Sequence, residues 1–213
     1  MEIVKFLLNS GGDLNFRNDQ GNTPLHTAAI NGHLALNDRI QYSAEVVIFI
    51  LANVIDKNPA NENGDTPLHE AAKKGFLEIC KLICQHVKHT NPENNFGQTP
   101  IFNAVEVGKL ETVKLLFECG GDLNVRTNQG NTPLHSAAMN GHTEAVKFIL
   151  ANVVDKSPVN KNGDTPLHQA AKNGSLEIFK LICQYLKDGD DYLEQYMGLV
   201  KTINALKWIT YIG

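Results

Sequence analysis

Cysteine is scarce, tryptophan nearly absent, and no long apolar run exists. The 213 residues hold four cysteines and one tryptophan. The cysteines at 80, 84, 119 and 183 lack the spacing of a disulfide framework, so reduced thiols in the cytoplasm are expected, with the nucleus as the alternative. The longest apolar run, Val46 to Ala52 and on to Ile55, is too short for a bilayer span. The opening Met-Glu-Ile-Val-Lys-Phe-Leu-Leu carries an acid at once and breaks early, unlike a secretory signal. Charge of one sign is lacking as well: 19 Lys and Arg face 23 Asp and Glu, for a net charge of −4 and a pI near 6.0. The basic residues form no cluster that tracks phosphates, so no nucleic-acid partner and no membrane insertion are expected.

Marks of catalysis are lacking too. No serine sits in a Gly-x-Ser-x-Gly elbow. The Gly-Gly pairs at 11–12 and 120–121 follow a helical pattern instead of preceding one, which excludes a phosphate loop. Asp188, Asp190 and Asp191 form an incomplete calcium series with glycine at the wrong place. Cys80, Cys84, His86 and His89 carry zinc-type donors. A near-copy of that segment has Phe179 in place of Cys80 and Tyr185 in place of His86. A position that accepts phenylalanine is a packing position, and free cysteine packs there as a small hydrophobe. No catalytic residue, cofactor or metal ligand is assigned.

What the sequence has in abundance is one unit, repeated. Thr132-Pro-Leu-His-Ser-Ala-Ala-Met-Asn-Gly141 returns as Thr23-Pro-Leu-His-Thr-Ala-Ala-Ile-Asn-Gly32, Thr66-Pro-Leu-His-Glu-Ala-Ala-Lys-Lys-Gly75 and Thr165-Pro-Leu-His-Gln-Ala-Ala-Lys-Asn-Gly174, with Thr99-Pro-Ile-Phe-Asn-Ala-Val-Glu-Val-Gly108 as a divergent copy. The threonines step by 43, 33, 33 and 33 residues. Each motif predicts a short helix with an N-cap threonine, a proline at the first helical position and a glycine terminator. A second amphipathic segment follows, such as Glu144–Leu150, then a polar turn with glycine such as Asn128-Gln-Gly130.

The Thr-Pro-Leu-His-x-Ala-Ala core, the 33-residue period and the trailing Gly-Gly-Asp-Leu-Asn resemble the ankyrin-repeat family over roughly residues 2–188. The resemblance implies an all-α solenoid of stacked antiparallel helix pairs with projecting β-turn fingers. It also implies that the motif histidines (His26, His69, His135, His168) bond to backbone and to the motif threonine, not to a metal. Asn15 and Asn124 stand where the family is hydroxylated on asparagine.

On this reading residues 1–17 are a partial repeat, its second helix at 2–9 matching 111–118. Repeat 1 spans 18–60 with ten extra residues at 34–43, expected to lengthen its second helix. Repeats 2 to 5 span 61–93, 94–126, 127–159 and 160–187. Residues 188–213 leave the pattern, and an amphipathic capping helix is expected there. From Asn61 to Lys88, 21 of 28 residues equal those from Asn160 to Lys187, so the chain reads as a duplicated three-repeat block.

The resemblance places partner contacts on the finger turns and the outward positions of the first helices, among them Thr27, Glu70, Asn103, Ser136 and Gln169. Most such positions are polar. Ile30, Phe96, Val107 and Met139 are apolar, and interface anchors are enriched in such residues. A binding hot spot centred on Phe96, Val107 and Met139, with Ile30 beside them and Lys73 and Lys172 flanking, is therefore expected. The implied function is a monomeric, non-catalytic module or adaptor that binds another protein. The alternative is a regulatory or targeting segment of a larger enzyme or channel, which the half-repeat start favours.

Overall fold

The computed structural model describes residues 12–32 and 39–187. The expected helix at 2–9, the start of the insertion at 34–38 and the tail at 188–213 lie outside the described residues. Ten helices and no strand occur among the described residues. The chain divides into two compact units, Met1–Asn128 and Gln129–Gly213. The first holds α1 (Pro24–Ile30), α2 (Arg39–Asn53), α3 (Pro67–Lys74), α4 (Leu77–Cys84), α5 (Pro100–Glu106) and α6 (Leu110–Glu118). The second holds α7 (Pro133–Asn140), α8 (Thr143–Asn152), α9 (Pro166–Asn173) and α10 (Leu176–Lys187).

The motif explains why these helices are so short. In α3, Thr66 caps the start with extended backbone, and Pro67 supplies the first helical φ without a missed hydrogen bond. The helix stops eight residues later because Gly75 turns left-handed at φ 74. The Gly75 and Phe76 amides then donate back to carbonyls of the last turn, and α4 begins at once. In unit 1, α3 packs between α1 and α5, and α4 between α2 and α6. In unit 2, α7 packs on α9 and α8 on α10.

The core follows the repeat register. Leu25, Leu68 and Ile101 occupy one buried row of unit 1, while Leu134 and Leu167 occupy the matching row of unit 2. The paired alanines keep first helices close, and Ala71, Ala72, Ala104, Ala137, Ala138 and Ala170 are all fully buried. Val105, the valine in an alanine position, is accommodated with no exposure. Helix α2 begins five residues before the position matching the start of α8, since Ala44 aligns with Thr143. Within it Val47 and Leu51 are buried, while Ile48, which takes the place of exposed Lys147, faces solvent.

Between helix pairs the chain makes a finger turn built on one asparagine. Asn61 Oδ1 accepts from the amides of Asn63 and Asp65, each at 3.0 Å. Asn18, Asn94 and Asn160 do the same in their own turns. Successive fingers are tied by backbone bonds: Glu62 N to Gln20 O at 3.2 Å, Asn95 N to Asn63 O at 3.0 Å and Asn128 N to Phe96 O at 2.9 Å. In unit 2, Lys161 N donates to Gln129 O at 3.0 Å.

Gly64 closes one such turn at φ +76, and a Cβ there would lie 2.7 Å from Asn95 N. That amide is the one bonded to Asn63 O, so an alanine would strain its own backbone and push on the finger ladder. Gly64→Ala is expected to cost about 2 kcal/mol of stability, read from urea unfolding by circular dichroism. A loss below a few tenths would show that the turn relaxes freely.

Candidate protein-binding face

The histidines of the motif set the geometry beneath the fingers. In repeat 2, His69 Nδ1 lies 3.0 Å from Thr66 N and 2.9 Å from Thr66 Oγ1. A backbone amide only donates, so Nδ1 is the acceptor and the ring proton sits on Nε2. Nε2 then donates to Gln98 O, in the next finger, at 3.0 Å. His26 repeats this with Thr23 N at 3.1 Å and Asp65 O at 2.9 Å. In unit 2, His135 does so with Thr132 N at 3.1 Å and Asp164 O at 3.0 Å. Each ring is a strut from its own helix start to the following finger, as the resemblance implied. Burial holds the His69 imidazole down to about 4 and pushes His26 down as well. In repeat 3, Phe102 is buried but carries no ring nitrogen, so Thr99 Oγ1 keeps only the bond it accepts from Phe102 N, at 3.4 Å.

Finger and helix are braced a second way. Asp65, buried in the finger, receives Lys73 Nζ on Oδ2 at 2.5 Å and Asn94 Nδ2 on Oδ1 at 2.8 Å. In unit 2, Lys172 Nζ meets Asp164 Oδ2 at 2.6 Å, and this lysine holds the Asp164 carboxyl below the usual range. In repeat 3 the polarity changes: Gln98 Nε2 donates to the Glu106 carboxylate at 3.4 Å. The matching positions elsewhere are Asn22 with Ile30 and Asn131 with Met139. Lysine thus occurs where the finger offers aspartate, and an apolar residue where it offers asparagine.

Of the candidate site residues, Phe96 is 58% exposed, Met139 45% and Val107 40%. Ile30 is half-buried. Phe96 and Val107 belong to repeat 3, on the finger and at the end of α5. Ile30 and Lys73 lie in the same unit, while Met139 and Lys172 belong to the second. Phe96 sits on a pinned backbone: its amide donates to Asn94 Oδ1 at 3.0 Å and its carbonyl accepts from Asn128 N. The two lysines are engaged with their aspartates, and so brace fingers instead of standing free as anchors.

Some positions read as outward from the sequence are not. Thr27 is exposed and Glu70 half-buried, but Asn103, Ser136 and Gln169 are buried. Both polar atoms of the Asn103 amide are without a hydrogen-bond partner among the described residues. Burial raises the Glu70 carboxyl above its ordinary value. The sequence reading also missed Ile55 and Val154, which stand almost wholly exposed in the loops after α2 and α8. Their signal was present, since both copies of the Asn-Val-x-Asp-Lys stretch keep an aliphatic residue there.

The zinc-type donors do not gather. Cys80 is buried, the Cys84 thiol contacts Cys119 of the next repeat, and His86 Nδ1 donates to Leu82 O at 2.8 Å. Among the described residues no group of three acidic, cysteine or histidine side chains is placed to hold a metal. No described helix is long and apolar enough to cross a membrane. Asn15 and Asn124 are exposed, each donating its amide to the aspartate two residues before it at 2.8 Å.

Comparison with known families agrees with this architecture. A description of three-copy ankyrin repeats matches residues 36–127 and 101–193, and one of multi-copy ankyrin repeats matches 1–36. The chain belongs to the ankyrin-repeat family. Such repeats are in general protein–protein interaction modules. No curated protein matches the chain.

Proposed function

We propose that the chain is a non-catalytic binding module or adaptor whose finger turns and outward first-helix positions receive another protein. In unit 1 the anchors are Phe96 and Val107, with Ile30 and Lys73 contributing. In unit 2 the anchor is Met139, with Lys172 contributing. The observation that carries this reading is Phe96: a largely exposed aromatic ring on a finger fixed by hydrogen bonds before any partner arrives. Burying such a ring gains apolar contact, and little backbone entropy is lost because the loop is already ordered. The lysines support the anchors by holding the finger against the helix.

The test is affinity capture with the parent chain and with a Phe96→Ala/Met139→Ala variant, followed by titration of the captured protein, purified, against each single variant. Phe96→Ala is expected to weaken binding about tenfold or more, because truncating an interface aromatic costs upward of about 1 kcal/mol. Affinity unchanged in both single variants would overturn the assignment of this face.

A further inference from the structure

Four cysteines scattered over the sequence give three that meet. Cys84 ends α4, Cys119 caps the end of α6, and the two helices pack side by side in unit 1. The side chains of the two cysteines are neighbours although 35 residues separate them. The loop after α4 holds these helix ends together independently of the sulfurs. Thr90 Oγ1 donates to Cys119 O at 3.1 Å, Asn91 Nδ2 to Gly120 O at 2.8 Å, and Asp122 N to Asn91 Oδ1 at 3.0 Å. Cys80, one turn before Cys84, is fully buried.

We propose that Cys84 and Cys119 form a reversible disulfide that staples repeat 2 to repeat 3 when the chain meets a small-molecule disulfide. The Cys119 sulfur, as thiolate, attacks that disulfide, joins one of its sulfurs and releases the other half as a thiolate. Cys84 then attacks the Cys119 sulfur, passes its proton to the departing second thiolate, and completes the intramolecular bond. Two protein thiols are oxidised to one disulfide, and one small disulfide is reduced to two thiols. Cys80 is fully buried and so out of reach of a small disulfide, whereas Cys84 is only partly buried and its raised thiol gives up its proton as it attacks. The bond closes a long loop, which raises stability by restricting the unfolded chain.

The full chain, incubated with oxidised glutathione, alkylated and digested with trypsin without reduction, tests this. The expected product joins peptide 82–88 to peptide 115–126 with loss of two hydrogens, and it disappears after reduction. The oxidised chain should also melt several degrees above the reduced one. Cys84→Ser should abolish both effects, and Cys183→Ser should leave both intact. Alkylated or singly glutathionylated Cys84 and Cys119, or a cross-link through peptide 75–81, which carries Cys80, would overturn the assignment. So would an oxidised chain that carries the cross-link yet melts no higher than the reduced one.

Discussion

His69→Ala is expected to lower the unfolding free energy by about 4 kcal/mol. Three partners lose their bonds at once: the Thr66 amide, the Thr66 hydroxyl and the Gln98 carbonyl. Thr66 is buried, so its amide finds no easy substitute in water. Each orphaned buried group costs about 1–3 kcal/mol, and the vacated ring volume adds a cavity cost. The loss should appear as a lower urea midpoint followed by circular dichroism. His69→Gln should recover part of it, because a glutamine at this helix position can still accept from the N-cap amide. It does not reach the next finger as the imidazole does. An alanine variant within about 1 kcal/mol of the parent would show that the strut contributes little to stability.

This strut was legible in the sequence as a motif, though not as a mechanism. Thr-Pro-Leu-His states the helix start plainly, because the cap, the proline and the glycine stop are local chemistry acting within one turn. The histidine's second partner lies 29 residues onward in repeat 2, and only the family resemblance pointed to it. Other parts of the face depend on neighbours that a single repeat does not display. Lys73 reads as a free surface cation until the finger is folded, when Asp65, eight residues earlier, captures it. The rule that lysine accompanies aspartate while Ile30 and Met139 accompany asparagine is written in the sequence. It becomes readable only once those two positions are known to touch.

Burial was the least legible property. Thr27 and Asn103 occupy the same place in their motifs, yet one is exposed and the other buried. Which is which depends on the neighbouring repeat, not on the residue itself. The meeting of Cys84 and Cys119 was hidden for a related reason. Their separation exceeds the repeat period by two residues, so the register that aligns all else does not bring them opposite each other. Helix ends and the loop after α4 make up the difference.

The same buried imidazoles make unit 1 acid-sensitive. His69 titrates near 4 in the fold against 6.5 when free, first because burial penalises its charged form. Geometry acts in the same direction: a proton on Nδ1 would face the Thr66 amide, a donor facing a donor. A lowered folded value means that above 6.5 neither state is charged and stability is complete. As pH falls from 6.5 toward 4, the unfolded chain takes a proton that the folded ring refuses, and stability is lost. Below 4 the loss levels off, at a total of about 3 kcal/mol for this one histidine. Between pH 7 and 5 the expected loss is about 2 kcal/mol, and His26, lowered for the same first reason, adds to it. Glu70 opposes this at the acid end, since its raised carboxyl makes the folded state the better proton acceptor. The measurement is the urea midpoint of the parent and of His69→Phe at pH 7 and pH 5. Phenylalanine already serves this position in repeat 3, and it cannot titrate. The variant should start less stable but lose less on acidification, narrowing the gap to the parent at pH 5 by about 2 kcal/mol. Equal slopes for both proteins would mean that His69 is protonated as readily in the fold as outside it.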